Sequence, residues 1–238
     1  MKAIILAGGL GTRLQPYTFF IPKPMLPLGN KPLLEHLINW LKRSDKINEI
    51  IICVSYLHRT IEDYFEDGAR FGIKVSYARA ERPLATAGQL KTAENLLDEK
   101  RFVCLYGDSI YDFELDEMIN DHIKTKAFLS MSLMNYKTRL KYGFIDTKTI
   151  SKKSKVTAWR EKPEVEGLIN IGCYIMEREF LEMIPKTNTI GMDKIVRKVI
   201  RQNKFINAFV IKSGFLDIGD KRSYLDAYKK YTRKLGDI

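Results

Sequence analysis

The sequence predicts an α/β protein, with a Rossmann-like, mixed but mainly parallel sheet flanked by helices. Three observations carry that prediction. Apolar runs rich in Val, Ile and Leu alternate with amphipathic segments through the first 108 residues. The runs are nearly continuous rather than alternating, as strands buried on both faces are. The first run passes directly into glycines, as a strand does when it feeds a ligand-binding loop.

The elements follow in order. KAIIL at 2–6 predicts a short buried strand. Leu34, Leu37, Ile38 and Leu41 stand at i, i+3, i+4 and i+7, the stripe of a helix lying on a sheet. INEIIICVSY (47–56) predicts a strand, HRTIEDYFEDGARFG (58–72) a helix stopped by Gly68 and Gly72, and IKVSYA (73–78) a strand. TAGQLKTAENLL (86–97) then predicts a helix and RFVCLYGD (101–108) a strand. Such a βαβ rhythm puts helices on both faces of a parallel sheet. After Asp108 the runs AFLSMSLMNY, YGFIDT, KVTAWREKP and LINIGCYIM are strand-like with short connections, which predicts an antiparallel extension. Helical stretches around Phe180 and Ile195–Ile200, the strand INAFVIK and a terminal helix using Tyr224, Leu225, Tyr228, Tyr231 and Leu235 complete the chain. No Pro/Gly linker falls between 100 and 150 and no repeat is visible, so a single domain over 1–238 is expected.

Composition excludes several classes. The 238 residues are 45% apolar and 29% charged, with no apolar run near the ~20 residues that span a bilayer. Lys2 is followed by only five apolar or small residues before the glycines, too few for a secretory segment, so a cytoplasmic location and no membrane partner are expected. Cys53, Cys104 and Cys173 each lie inside an apolar run without a CxxC pair, and His36, His58 and His122 lack metal-ligand spacing. A metal here must therefore be a hard ion held by oxygen. The net charge of +11 is spread along the chain, gathering only at Lys229, Lys230, Arg233 and Lys234, and no nucleic-acid recognition pattern accompanies it. Such a balance suits polyanionic small molecules rather than nucleic acid.

The segment AGGLGTRLQPYTFFIPKPM (7–25) holds three glycines, Arg13, Lys23 and three prolines. Glycines leave backbone N–H groups open to an anion, and five of the eight prolines lie between 16 and 32, where fixed φ lowers the entropy of ordering. The dinucleotide pattern GxGxxG fails because Leu14 stands where the last glycine belongs, and GxxxxGK[ST] is absent. Asp108 follows an apolar strand, and Asp217 lies in an apolar stretch between glycines, an unusual home for a carboxylate without a partner.

The same segment resembles the signature GGxGTRLxPxTxxxPKPM of the sugar-1-phosphate nucleotidylyltransferases, which make nucleoside-diphosphate sugars, and the match runs over eighteen residues. The resemblance implies a nucleoside triphosphate and a sugar 1-phosphate as partners, Mg²⁺ as cofactor, and Arg13 and Lys23 as the catalytic cations. It implies that Leu6, Ala7, Gly8, Gly9, Gly11, Thr12, Arg13, Lys23, Glu81, Thr86, Ala87, Gly88 and Asp108 surround the nucleotide. Asp108 and Asp217 match the metal-binding aspartates of the GD and DIG motifs. On the sugar side it implies Tyr142 and Gly143, then Glu161 and Lys162 of EKP, Asn170 of an NxGxY segment, and Asp193. One departure is Ala85 in ERPLATAGQLK, where the family usually has glycine at the base. A non-sugar cytidylyltransferase and a non-catalytic scaffold subunit of the same fold remain alternatives. The stripe Tyr224, Tyr228, Tyr231 serves internal packing or a homo-oligomer contact.

Overall fold

The computed structural model describes residues 1–150, 152–186 and 189–236, with side chains in the last helix followed to Thr232, so Arg233, Lys234 and Leu235 lie outside the described side chains. In chain order the elements are β1 (Lys2–Leu6), β2 (Pro27–Leu28), β3 (Lys31–Pro32), α1 (Leu33–Leu41), β4 (Glu49–Val54), α2 (His58–Phe65), β5 (Lys74–Arg79), α3 (Thr86–Thr92), β6 (Arg101–Tyr106), β7 (Ser109–Tyr111) and α4 (Leu115–Thr125). They continue with β8 (Leu129–Arg139), β9 (Phe144–Ile150), β10 (Lys153–Arg160), β11 (Glu164–Glu177), α5 (Met192–Arg201), β12 (Ile206–Ile211), β13 (Phe215–Asp217) and α6 (Lys221–Gly236).

The central sheet has the order β12-β8-β11-β6-β1-β4-β5. Its strands run one way except β11, which is antiparallel to both β6 and β8. The mixed, mainly parallel sheet read from the apolar runs is therefore the observed one. Side chains of β1 alternate between two cores, as the period of a strand requires. Ala3, Ile5 and Ala7 meet Leu34 and Leu37 of α1, Ile61 and Phe65 of α2, and Met118 of α4. Ile4 and Leu6 meet Ala87 and Leu90 of α3 with Ile195 and Val199 of α5 on the opposite face. Truncating a fully buried residue such as Ile4 to alanine removes contacts on a face that cannot collapse, a loss of about 2–5 kcal/mol.

A third cluster decides where the glycine loop sits. Leu14, Leu26, Leu28 and Leu33 pack with Ile110, Ile218, Tyr224 and Ala227, so α6 closes over the base of the loop. The Tyr224 hydroxyl donates to the Pro27 carbonyl at 2.9 Å, which gives this member of the aromatic stripe an internal packing role.

Two elements depart from the sequence expectation. The sequence predicts no helix between Asp108 and the run AFLSMSLMNY, yet α4 lies there, and its buried Leu115, Met118, Ile119 and His122 have helical spacing. His122 is held between Ser130 Oγ at 2.8 Å and Glu177 Oε1 at 3.2 Å, a satisfied core histidine. The helix around Phe180 is a 3₁₀ stretch, Arg178–Met183. The three cysteines are buried, and burial pushes the Cys53 thiol up to about 12, far from a reactive thiolate. Among the described residues no helix is long and apolar enough to cross a membrane.

Candidate active site

The loop after β1 leaves the sheet at the carboxyl ends of parallel strands, where α/β sheets bind ligands. Gly8 is fixed from behind: its N–H donates to Gln89 Oε1 at 3.0 Å, and a Cβ there would stand 3.1 Å from the same oxygen. Gly11 has φ +62°, and a Cβ would come within 2.9 Å of Thr18 Cγ2, so a side chain is excluded on both counts. It begins a single 3₁₀ turn, Thr12–Leu14, in which Leu14 is buried in the third cluster while Arg13 stays exposed on the cavity side. The buried leucine thus aims the arginine.

Lys23 lies in the third 3₁₀ turn of the loop, Lys23–Met25, entered and continued by Pro22 and Pro24. Only 7% of its side chain is exposed, and Nζ donates to Asp108 Oδ2 at 2.7 Å. A buried ammonium needs such a partner. Asp108 stands in the turn between β6 and β7, and β7 pairs with β13 in a register that sets Ser109 opposite Asp217. This three-residue ladder, joining segments over 100 positions apart, is what brings the two aspartates together. Gly219 completes the corner, since a Cβ there would be 2.6 Å from Asp217 Oδ2 and 3.3 Å from Arg13 Nη1.

The two carboxylates repel. Asp217 has its pKa raised above the ordinary aspartate value, first by loss of hydration and further by the charge of Asp108, against the opposing pull of Lys23 and Arg13. Two oxygen donors in mutual repulsion fit a Mg²⁺ ion, which takes one or two carboxylates and completes its shell with phosphate and water. No group of three or more His, Cys, Asp or Glu that could hold a metal occurs among the described residues, so the ligand's own phosphates would have to supply the remaining oxygens.

A cavity of about 820 Å³ joins these groups. Leu6, Ala7, Gly9, Gly11, Thr12, Arg13, Lys23, Thr86 and Asp108 of the expected nucleotide set line it, with Asp217 and Asn170. Gly8, Ala87 and Gly88 of that set are buried and lie outside the lining. The N–H groups of Ala87 and Gly88 both donate to the Ile190 carbonyl, at 3.0 and 3.1 Å, and Thr86 Oγ1 accepts from Met192 N at 2.8 Å, so this turn is tied to the entry of α5. Ala85 caps α3 with φ −18°, outside the left-handed region that favours glycine. Glu81 is exposed and lies outside the cavity lining.

On the sugar side, Asn170 Nδ2 donates to the Tyr174 hydroxyl at 2.5 Å, and its Oδ1 accepts from Gly172 N at 3.1 Å. Gly172 has φ +79°, and a Cβ would strike the Tyr106 ring at 2.5 Å. Tyr142, Gly143, Glu161 and Lys162 gather instead at the far end of the β8/β11 ribbon, outside the cavity lining. The last ribbon pair, Arg139 with Glu164, lies three residues beyond Tyr136 of the cavity wall, about 10 Å at ~3.4 Å per residue. Asp193 is exposed in the first turn of α5 and does not join the cavity. Gln89, Tyr106, Ser109 and Tyr136 line the cavity without having been anticipated from the sequence. A signal existed for Gln89, an amide one position from buried Gly88 and Leu90 on an otherwise apolar helix face.

The family model described as Nucleotidyl transferase matches residues 2–234. The chain belongs to the sugar-1-phosphate nucleotidylyltransferase family. This nucleotidylyltransferase is 36% identical over 233 residues to the D-glycero-alpha-D-manno-heptose 1-phosphate guanylyltransferase of Aneurinibacillus thermoaerophilus, covering 97% of this chain and 98% of the relative. It is also 36% identical over 248 residues to a UTP–glucose-1-phosphate uridylyltransferase of Synechocystis, covering 96% of this chain and 63% of that one. The solved structure of HddC from Yersinia pseudotuberculosis complexed with GMP-PN superimposes with a TM-score of 0.75 at 27% identity, over 97% of this chain and 99% of that one. Membership brings the general chemistry: nucleotidyl transfer from a triphosphate to a sugar 1-phosphate, with pyrophosphate as the second product.

The raised Asp217 carboxyl yields a stability prediction. A carboxyl with its folded pKa above the unfolded one costs stability as pH rises through that interval, so the metal-free protein carries the full penalty at neutral pH. Asp217→Asn is expected to raise the metal-free Tm at about pH 7, with the difference from the parent shrinking as pH falls through the raised folded pKa and gone below the unfolded value of about 4. Added Mg²⁺ is expected to raise the Tm of the parent and not of the variant. Thermal melts over pH with and without Mg²⁺ read both effects; equal metal responses would remove Asp217 from the ligand set.

Proposed function

We propose that the chain is a Mg²⁺-dependent guanylyltransferase that moves GMP from GTP to a sugar 1-phosphate of α-D-manno configuration, a heptose 1-phosphate first. The observation that carries the reaction class is the convergence of Arg13, Lys23, Asp108 and Asp217 on one cavity. The guanine and the manno heptose are supported by the Aneurinibacillus relative, matched end to end, and by the GMP-PN-bound HddC structure.

A phosphate oxygen of the sugar 1-phosphate attacks the α-phosphorus of GTP. The new P–O bond forms as the α–β bridging bond breaks, and its electron pair leaves on pyrophosphate. The nucleophile is already an anion, so no general base is needed, in keeping with a cavity that no histidine lines. Binding must instead overcome repulsion between two polyanions, which is a task of positioning and charge. Arg13 presents a fixed fork to the triphosphate at the open side of the loop. Lys23, held in place by flanking prolines, meets the α-phosphate and the charge that grows on it. Backbone around Gly9 approaches closely because a Cβ-free wall leaves room, with nothing within 4 Å of that position. Asp108 and Asp217 would hold Mg²⁺, which when bound would neutralise charge on the triphosphate. Asn170, with Glu161 and Lys162 beyond the rim, orients the sugar phosphate.

The Synechocystis relative favours a second reading, uridylyl transfer to glucose 1-phosphate. A matrix of five triphosphates against heptose, mannose and glucose 1-phosphates, read by pyrophosphate formation, separates them. GTP with a manno-configured acceptor is expected to give the highest kcat/KM. Highest efficiency with UTP and glucose 1-phosphate would establish the second reading, and turnover only with CTP and a non-sugar alcohol phosphate would reject both.

A further inference from the structure

Trp159 is 68% exposed, whereas the chain's other tryptophan, Trp40, is 3% exposed in the core. A large aromatic open to water beside the expected sugar residues is not explained by packing. Its surroundings are nevertheless ordered. The indole Nε1–H donates to Glu161 Oε2 at 3.0 Å. Gly143 lies against the same ring: a Cβ at 143 would stand 3.0 Å from indole Cε2 and Nε1, and 3.1 Å from Glu161 Oε2. Two chain segments thus meet in one cluster, and a side chain at 143 would have to push the indole or the carboxylate aside by a few tenths of an ångström.

The ladder aims this side chain. Between Val156 and Ala158 the β9–β10 register slips by one residue, with Val156 opposite Thr147 and Ala158 opposite Asp146. Thr157 is the extra residue, its hydroxyl donating to the Asp146 carbonyl at 3.1 Å. A bulge shifts the alternation of every side chain after it, and bulges are over-represented where a side chain is re-aimed beside a site.

We propose that Trp159 is a sugar-recognition residue: its N–H fixes the Glu161 carboxylate, and its open ring face receives the apolar C–H face of the sugar ring. The inference rests on the reading above that Glu161 meets the sugar 1-phosphate. Chemically, an indole suits this place, since it offers a flat apolar surface and one donor at its edge. The Glu161 oxygen not bonded to the indole is left for a sugar hydroxyl, and Lys162 Nζ, 3.9 Å from Glu161 Oε1, adds a cation beside it.

The test combines kinetics with fluorescence. Trp159→Phe keeps an aromatic face and loses the donor; Trp159→Ala loses both. The KM for the sugar 1-phosphate is expected to rise about tenfold in the first, the worth of one hydrogen bond to a charged group, and about a hundredfold in the second. The KM for GTP is expected to stay within about twofold of the parent. Gly143→Ala, which crowds the indole, is expected to resemble Trp159→Phe. Because Trp40 is buried, titrating α-D-mannose 1-phosphate into protein holding a fixed concentration of non-transferable GTP analogue is expected to shift tryptophan emission, and Trp159→Phe to abolish the shift. An unchanged sugar KM, an equal rise for both substrates, or emission that follows protein concentration rather than sugar phosphate would overturn the inference, the last assigning the ring to a contact between copies. A parent chain without guanylyl transfer would reject the reaction itself, while the titration would still decide whether Trp159 meets a sugar phosphate.

Discussion

Asp108→Asn is expected to abolish turnover at saturating substrates, with kcat lower by at least about 10³-fold, because one amide replaces a group with two charge-dependent tasks. The first is to hold Lys23, whose ammonium is buried and lies 2.7 Å from Oδ2. The second, in the proposed reaction, is to present the remaining oxygen, beside Asp217, to a divalent ion. Asparagine is nearly isosteric, so the cavity keeps its shape while Lys23 loses its counter-charge and the metal loses a ligand. A buried cation without a partner also destabilises, and a lower Tm is expected alongside the kinetic loss. Asp217→Asn separates the two tasks, since it would remove the second proposed metal ligand and leave the Lys23–Asp108 pair intact. If Asp108→Asn retained activity within tenfold of the parent under excess Mg²⁺, neither task would belong to this residue.

Lys23→Ala is expected to lower kcat by about 10²–10³-fold in both the forward direction and pyrophosphorolysis, with the KM for sugar phosphate little changed. The reason is differential: charge on the α-phosphate grows toward the transition state, and a lysine already fixed between prolines pays no ordering entropy to meet it. Lys23→Arg is not expected to rescue. Its planar fork is wider than an ammonium, and the side chain has 7% exposure and no room to turn. Steady-state rates in both directions check this, and a variant altered in KM alone would recast Lys23 as a ground-state binding group.

The loop from Ala7 to Met25 was legible because its chemistry is local: glycines, prolines, one arginine and one lysine in a single short stretch. The parallel half of the sheet was legible for a related reason, since strands buried on both faces must be apolar throughout. The helix α4 escaped notice because its stripe lies between strand-like runs, where period 3.6 and short connections compete. The ribbon β8/β11 and the hairpin β9/β10 were anticipated as strands, but not the separation they create between Asn170 in the cavity and Glu161 beyond its rim. The burial of β1 on both faces followed from its unbroken apolar run, but which helix covers which face did not.

By itself, the sequence determined the fold class, the glycine and proline loop of the cavity and the identity of its four charged groups, because each depends on residue type and near-neighbour spacing. Tertiary structure alone decided that Asp108 and Asp217 line one cavity, that Arg13 abuts Gly219, and that Gly143 lies against Trp159. The physical reason is the range of the forces. Backbone conformation and burial are set within a few residues, whereas Coulomb repulsion between two carboxylates acts through space and exists only once a three-residue ladder has joined chain segments more than 100 positions apart.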